Sequence, residues 1–196
     1  MSGLTDRAGR VWCNAAMRSS HLLATAALLL LSACACPCTW LGGTATKAEP
    51  AALSVEDFKT AAPGVSISAQ PTDDALRAAA AGGFRTVINL RSDGEARDPA
   101  AEGELVASLG MRYVRIPVKK GDATFEQADR LSAALAEAGA APVLVHCASG
   151  QRASAVWTLH LVRHGGRSDA EALAEADALG IGPEMRAVVE RRLRER

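Results

Sequence analysis

Residues 142–152 read Pro-Val-Leu-Val-His-Cys-Ala-Ser-Gly-Gln-Arg, which joins a short apolar run to a polar turn containing glycine. The apolar part predicts a buried central strand, and the residues after the turn predict a helix that begins at once. A strand, loop and helix in this order place successive backbone N–H groups around a concavity and direct a helix N-terminus at it. Both features favour a bound anion, so the stretch predicts an anion-binding loop at the end of a strand.

The chain around this loop alternates between helical stretches and short apolar runs. Three helical stretches lead through glycine into a β-rich run: 72–81 into 84–91, 99–109 into 111–118, and 124–138 into 142–147. Further helices are predicted at 153–164, 168–179 and 183–194. Asp98 before Pro99, and the pair Ser168 and Glu171, are typical helix starts. Alternating helices and strands require crossover connections, so we expect a single α/β domain with a central, largely parallel sheet flanked by helices.

The composition fits one globular domain with a tail. Of the 196 residues, 48% are hydrophobic and 22% are charged, which argues against wholesale disorder. Lysine plus arginine and aspartate plus glutamate each number 22, so the formal net charge is zero. A neutral chain with 4% aromatic residues offers neither the charge nor the stacking surfaces typical of nucleic-acid binding. We therefore expect no nucleic-acid partner.

The amino-terminal segment is typical of an exported protein. Residues 22–31 are apolar except for Thr25, and Arg18 supplies a positive charge in front of them. Crossing a membrane as a helix takes about 20 residues, so this run fits the apolar core of a secretory signal instead. Translation from Met17 would produce the same signal, which leaves the start codon open between Met1 and Met17.

The signal ends in Leu-Ser-Ala-Cys at 31–34, which resembles the lipobox of bacterial lipoproteins. The resemblance implies cleavage after residue 33, lipid attachment to Cys34 and a membrane anchor facing the periplasm. Ala35 at the next position is similar to the pattern that sorts lipoproteins to the outer membrane. An ordinary cleaved signal peptide is the alternative. The predicted organisation is a signal peptide at 1–33, a flexible tether at 34–64 and a folded domain at 65–196.

The cysteines do not predict a disulfide framework, because four of the five lie at or before position 38. Cys36 and Cys38 flank a proline without further ligands nearby, which is a weak zinc signal. His160 and His164 are four apart on a predicted helix, but no third ligand accompanies them. We therefore expect neither a metal nor an organic cofactor.

Cys147 is the candidate nucleophile of the loop. A helix N-terminus and surrounding amides favour a thiolate over a thiol and so make a cysteine reactive. Gly150 lets the backbone turn close to an oxyanion, and Arg152 offers a planar fork for two oxygens of a phosphate or sulfate. The alternative is a buried structural cysteine. His146, Gly150 and Arg152 within seven residues favour catalysis or anion binding.

The pattern His-Cys-x-x-Gly-x-Arg resembles the signature loop of cysteine-dependent phosphatases of the tyrosine and dual-specificity type. Residues 68–71, 87–91 with Glu95, and 113–118 are similar to segments of one bacterial group, the phosphatase-like domain family of beta-lactamase hydrolase-like proteins. The resemblance covers about residues 62–185. It implies a cysteine-phosphatase-like fold and a phosphorylated or other oxyanion substrate.

The resemblance also implies a role for individual residues. Cys147 would be the nucleophile and Arg152 the oxyanion clamp, with a substrate cradle made by backbone amides of Ala148, Ser149, Gly150, Gln151 and Arg152. Such a phosphatase needs an acid to protonate the leaving oxygen, and Asp122 is the best-placed candidate. A solvated loop aspartate is the alternative for Asp122. Arg91 and Glu95 follow another strand at the same sheet edge and are candidate supporting groups.

Two departures from the tyrosine-phosphatase pattern leave the reaction open. Four residues separate Cys147 from Arg152, one fewer than is typical, and the shorter spacing is found both in the bacterial family and in many rhodaneses. Ala153 stands where a hydroxyl usually follows the arginine, with Ser154 one place later. The sequence therefore predicts a phosphatase that forms a thiophosphate on Cys147. A sulfurtransferase that uses a Cys147 persulfide, or a non-catalytic lipoprotein that binds an anion or partner, are the alternatives.

Overall fold

The computed structural model describes residues 57–138 and 142–196. The strands are β1 (Lys59–Ala62), β2 (Val65–Ser68), β3 (Thr86–Asn89), β4 (Arg112–Arg115) and β5 (Val143–His146). The helices are α1 (Asp73–Ala81), α2 (Pro99–Ser108), α3 (Phe125–Ala138), α4 (Gln151–Arg163), α5 (Asp169–Ala178) and α6 (Pro183–Arg194). None of these helices has the length and apolar character needed to cross a membrane. The predicted signal peptide 1–33, the lipidation site Cys34 and the tether up to residue 56 lie outside the described residues.

The described strands form one sheet in the order β1-β2-β5-β3-β4. Strand β5 lies at the centre and runs parallel to β2 and β3, with Val145 opposite Ile67 on one side and Ile88 on the other. Strand β4 is parallel to β3, and only β1 is antiparallel to its neighbour. The predicted α/β domain with a largely parallel sheet is confirmed. Because parallel strands end at the same edge, the segments after β3, β4 and β5 meet there.

Apolar side chains pack on both faces of the sheet. Alternate residues of a strand point to opposite faces, and Leu144 and Val145 accordingly belong to different clusters. Leu144 packs with Val87 and the residues of α1 and α2, whereas Val145 belongs to the larger cluster formed with α3 to α6. Trp157 on α4 is buried in the larger cluster, as its apolar helix predicts. This packing fixes β5 and α4, and so fixes the loop between them.

The predicted helix starts are present in the structure. The Asp98 carboxylate accepts a hydrogen bond from the Ala100 N–H at 2.9 Å, with Pro99 in the first turn of α2. Ser168 and Glu171 form a capping box at the start of α5, in which each side chain bonds the other residue's backbone N–H. Such caps stabilise a helix by about 1 kcal/mol each.

Strand β1 corrects the predicted end of the tether at residue 64. Lys59 pairs with Ile67 and Thr60 with Ser66, so the sheet begins before the predicted boundary. The sequence Lys-Thr-Ala-Ala has a single β-branched residue, Thr60, no aromatic residue and no clear apolar alternation, so it is a weak strand signal. Residues 59–62 form a strand because β2 offers them a free edge to pair with. The first residue of β1, Lys59, is charged and exposed, which suits the edge of a sheet.

Candidate active site

The loop between β5 and α4 holds Cys147 at the carboxyl edge of the sheet, where its side chain packs in the larger apolar cluster and its sulfur accepts one backbone hydrogen bond. Cys147 is 0% exposed, and the Gly150 N–H donates to its Sγ at 3.1 Å. An N–H group directed at sulfur stabilises negative charge on that atom. The Gly150 N–H is therefore directed at the sulfur atom of the predicted nucleophile.

Gly150 adopts the left-handed conformation, with φ of +83°, at the N-cap of α4. A Cβ at this position would lie 3.6 Å from the Ser68 carbonyl, which is ordinary van der Waals contact. The requirement for glycine is therefore conformational, because other residues resist positive φ. This conformation turns the Gly150 N–H toward the sulfur.

The guanidinium of Arg152 is held by two hydrogen bonds that it donates to the Glu95 carboxylate. Arg152 Nη1 donates to Glu95 Oε1 at 2.6 Å and Nη2 donates to Oε2 at 2.7 Å, while Nη1 also donates to the Val118 carbonyl at 2.9 Å. Arg152 is only 6% exposed. The Glu95 hydrogen bonds are the main reason that the pKa of Arg152 is raised, and the nearby Cys147 sulfur raises it further. Arg152 thus stays charged and fixed beside the sulfur.

Glu95 is correspondingly held in its ionised form. Its bond to Arg152 is the chief cause that lowers the pKa of Glu95 to about 2, with the hydroxyl and N–H of Ser92 adding to the effect. The sequence predicted Glu95 only as a candidate supporting group. The structure gives it a definite part, which is to orient the arginine.

A buried polar network lies beneath the loop, centred on Glu102, which is 0% exposed. Four side chains reach its carboxylate at 2.8 to 3.0 Å: Asn89, Tyr113, Arg97 and, through Nε2, His146. Burial acts to raise the pKa of Glu102, but the interaction with His146 and the hydrogen bonds from Gln70 and Tyr113 together outweigh it and bring the value to about 2. The network ties α2 to the residue that precedes Cys147.

This network also reaches the arginine clamp. Gln70 donates to Glu102 Oε2 at 2.5 Å and accepts from Arg91 Nη1 at 2.5 Å. Arg91 Nε in turn contacts Glu95 Oε2 at 3.4 Å. Arg91, a predicted supporting group, thus connects the carboxylate of Glu95 with that of Glu102 by way of Gln70. Sequence analysis missed Glu102 because a glutamate inside a helix carries no sign of burial.

The loop borders a cavity of about 650 Å³ at the carboxyl edge of the sheet. It is lined by Ala148, Ser149, Gln151 and Arg152 of the loop, Arg91, Ser92, Glu95 and Ala96 after β3, Lys120 and Gly121 after β4, and Gly182, Pro183, Glu184 and Met185 before and in α6. The charged residues of this wall are three cations, Arg91, Lys120 and Arg152, and two carboxylates, Glu95 and Glu184. Four of the predicted loop residues thus line this cavity, whereas Cys147 and Gly150 lie behind them and are not part of its lining.

Asp122 lies on the predicted loop, but its side chain contacts α6. Its carboxylate accepts a hydrogen bond from Arg192 Nη2 at 3.0 Å and one from the Ala123 N–H at 2.8 Å. Asp122 is not among the residues that line the described cavity. Its role as the proton donor stays a prediction.

Other predicted polar residues make local contacts. Ser154 Oγ donates to the Gly150 carbonyl at 3.1 Å, so this hydroxyl is engaged within α4. His164 Nε2 lies 2.7 Å from Asp129 Oδ1, while burial lowers the pKa of the neighbouring His160 to about 4. Within residues 57–138 and 142–196, no three His, Cys, Asp or Glu side chains are grouped to hold a metal.

The fold and the β5–α4 loop define a cysteine-phosphatase-like α/β domain. Residues 57–163 match the family model described as the beta-lactamase hydrolase-like protein, phosphatase-like domain. The match covers more than half of the chain, and the chain belongs to this family. The predicted family resemblance is confirmed.

Known proteins agree with this assignment. A beta-lactamase hydrolase-like protein of Xylella fastidiosa (strain Temecula1 / ATCC 700964) is 35% identical over 123 residues, which are 60% of this chain and 28% of that protein. The chain thus spans little more than a quarter of that relative. A crystal structure from Shewanella putrefaciens CN-32, a DUF442 protein with a provisional phosphatase assignment, has 29% identity and a TM-score of 0.57, covering 72% of this chain and 96% of its own. The crystal structure of P. aeruginosa TpbA in complex with pTyr shares the fold at 18% identity and a TM-score of 0.56, covering 77% of this chain and 98% of its own.

Proposed function

We propose that this phosphatase-like domain hydrolyses phosphate monoesters by nucleophilic catalysis at Cys147. The observation that carries the proposal is the Gly150 N–H donated to Cys147 Sγ at 3.1 Å beside the buried guanidinium of Arg152. The sulfur attacks phosphorus in line, forming the S–P bond as the ester P–O bond breaks. Water then hydrolyses the thiophosphate, which returns the thiolate and releases phosphate.

The geometry of Arg152 supports binding of a phosphoryl group. A guanidinium has five N–H donors. Three are used by Glu95 and the Val118 carbonyl. Nε–H and one N–H on Nη2 are left for the substrate oxygens and the Cys147 sulfur. Together with the loop amides, these donors would stabilise charge on the equatorial oxygens in the transition state.

The second candidate function is sulfur transfer through a persulfide on Cys147. Two observations favour it: the four-residue spacing between Cys147 and Arg152, and the engagement of Asp122 by Arg192 at 3.0 Å. A persulfide reaction needs no general acid, so Asp122 would be dispensable in it. In the third candidate function the protein binds an anion or a partner without catalysis, and it would then show neither phosphate-ester hydrolysis nor sulfur transfer.

The two reactions can be separated with the full chain kept reduced. One assay offers p-nitrophenyl phosphate, and another offers thiosulfate with cyanide. Nitrophenol release that disappears in Cys147→Ser supports the phosphatase. Thiocyanate formation without phosphate release would assign sulfur transfer instead, and silence in both assays would favour a binding role.

We also propose that the protein is exported and anchored to a membrane by lipid on Cys34, facing the periplasm. The apolar run 22–31 and the Leu-Ser-Ala-Cys sequence at 31–34 support this proposal. Lipid attachment requires a cysteine at the cleavage point, so the proposal depends on Cys34 alone among the amino-terminal cysteines.

A further inference from the structure

The leaving oxygen of a phosphate monoester needs a proton, and the cavity wall offers two carboxyl groups that could supply one. These are Glu95, in the segment after β3, and Glu184, in α6, and both line the described cavity. The choice between them, and between them and Asp122, rests on the proposed phosphatase function. The contacts of each carboxylate decide which one can give a proton to a substrate.

Glu95 is fully occupied as an acceptor. Its Oε1 receives hydrogen bonds from Arg152 Nη1 at 2.6 Å and from the N–H and hydroxyl of Ser92 at 2.8 and 2.9 Å. Its Oε2 receives Arg152 Nη2 at 2.7 Å and contacts Arg91 Nε at 3.4 Å. If either oxygen of Glu95 carried a proton, that proton would point toward an N–H or O–H group that now donates to the same oxygen. Glu95 is therefore a positioning residue for Arg152.

Asp122 is engaged outside the cavity. Its Oδ1 accepts from Arg192 at 3.0 Å and from the Ala123 N–H at 2.8 Å. To protonate a substrate, it would have to leave the Arg192 guanidinium and move to a wall that it does not line.

Glu184 is both on the cavity wall and available. It is the second residue of α6 and is exposed to solvent. Among the described residues, its carboxylate has no hydrogen-bond or ion-pair partner. Its Oε1 lies 3.8 Å from where a Cβ on Gly121 would stand, so the side chain extends from α6 to the loop after β4.

The signature loop itself fixes the start of α6. The Gln151 side chain accepts a hydrogen bond from the Gly182 N–H and donates to the Gly180 carbonyl at 3.0 Å. Met185, directly after Glu184, is buried in the core. Gln151 thus links the nucleophile's loop to the backbone just before Glu184, at the start of α6.

We propose that Glu184 is the general acid of this active site. As Cys147 Sγ forms its bond to phosphorus and the ester P–O bond breaks, the Glu184 carboxylic acid gives its proton to the departing oxygen. The resulting carboxylate then takes a proton from the water that attacks the thiophosphate. Phosphate leaves and the acid form of Glu184 is restored, so protons balance over the cycle.

The test compares substrates whose leaving groups differ in basicity. A departing p-nitrophenolate is weakly basic and needs little protonation, whereas phenolate from phenyl phosphate is more basic and needs more. In Glu184→Gln, kcat/KM for phenyl phosphate should fall by about 10²-fold, with a much smaller fall for p-nitrophenyl phosphate.

Two further variants make the result decisive. The control is Glu190→Gln. Glu190 is on the same helix, pairs with Arg186 at 3.2 Å and does not line the cavity, so this variant should keep the wild-type kcat/KM for both substrates. An equal loss on both substrates in Glu184→Gln, or a leaving-group-dependent loss in Asp122→Asn instead, would overturn the assignment. A wild-type chain that hydrolyses neither substrate would overturn the phosphatase function itself, which is a separate outcome.

Discussion

At the scale of single residues, Glu95 holds the arginine in the position that an oxyanion requires. The two residues are 57 positions apart in sequence and meet because the segment after β3 and the start of α4 share one sheet edge. Each carboxylate oxygen of Glu95 accepts one hydrogen bond from the Arg152 guanidinium, and this bidentate contact fixes the plane of the guanidinium. A reactive site loses rate steeply when such a group is displaced by about 1 Å.

Replacing Glu95 by glutamine should therefore reduce catalysis more than stability. The amide retains one acceptor but adds a donor that faces Arg152, so the guanidinium must rotate away. We expect kcat/KM for p-nitrophenyl phosphate to fall by about 10²-fold, measured by initial rates. The matched control is Glu137→Gln, which breaks an exposed Arg112–Glu137 pair and should leave kcat/KM unchanged. Equal activity in both variants would remove Glu95 from the mechanism.

Glu102 contributes to stability in a way that depends on pH. The folded pKa of Glu102 is depressed from 4.5 to about 2, chiefly because His146 offsets the cost of burial. A depressed folded pKa stabilises the protein above the unfolded value, and this contribution is lost as the pH falls through the folded value. The free energy of unfolding should thus decrease between about pH 5 and pH 2, and the depressed pKa of Glu95 adds in the same direction.

Glu102→Gln isolates this effect. Breaking a buried charged pair typically costs about 3 kcal/mol, so the variant should be less stable at pH 7 by about that amount. Its stability should also change less between pH 5 and pH 2 than that of the wild type, as measured by urea unfolding. Glu104→Gln alters an exposed glutamate of the same helix and should match the wild type throughout. An unchanged acid dependence in Glu102→Gln would show that His146 and Glu102 do not form the proposed pair.

At the scale of elements, the strand-loop-helix unit of β5 and α4 depends on the conformation of Gly150. Gly150→Ala should destabilise the protein by about 1 kcal/mol, because a side chain resists positive φ. The loop would relax and withdraw the N–H from Cys147, so the rate of p-nitrophenyl phosphate hydrolysis should fall. Gly64→Ala is the matched control, since Gly64 has a φ of +77° with open space around it. Gly64→Ala should lose similar stability in thermal unfolding but keep its activity. Full activity in Gly150→Ala would contradict the proposed role of the loop.

The elements themselves were largely predictable from the sequence. β5, α4, α5 and α6 lie within one or two residues of the predicted positions, because apolar runs, caps and glycines mark their ends locally. Strands β1 and β2 were missed, because β1 carries a weak strand signal and forms along β2, while β2 forms along the edge of β5. The network of Glu102 was missed for the same reason, because burial of a charged helix residue depends on partners from distant segments.

At the scale of the whole molecule, the charge of the chain beyond residue 33 does not favour binding to an anionic membrane. After the predicted cleavage it contains 19 basic and 21 acidic residues, so it has no surplus of positive charge for anionic lipid. None of its described helices could cross a bilayer. In the proposed lipoprotein, acyl chains on Cys34 would provide the membrane anchor, and more than one chain is needed for stable anchoring.

Cys34→Ala should accordingly shift the protein from the membrane pellet to the soluble fraction of fractionated cells. The substitution removes the thiol that would carry lipid and leaves the apolar run 22–31 intact. Measuring the amount of protein in the periplasm as well as in the pellet separates loss of export from loss of anchoring. Cys36→Ala is the matched control, because it removes a thiol two positions away and should leave the protein in the pellet. If Cys34→Ala also stays in the pellet, the anchor is not lipid at Cys34, and an uncleaved apolar segment would have to hold the protein instead.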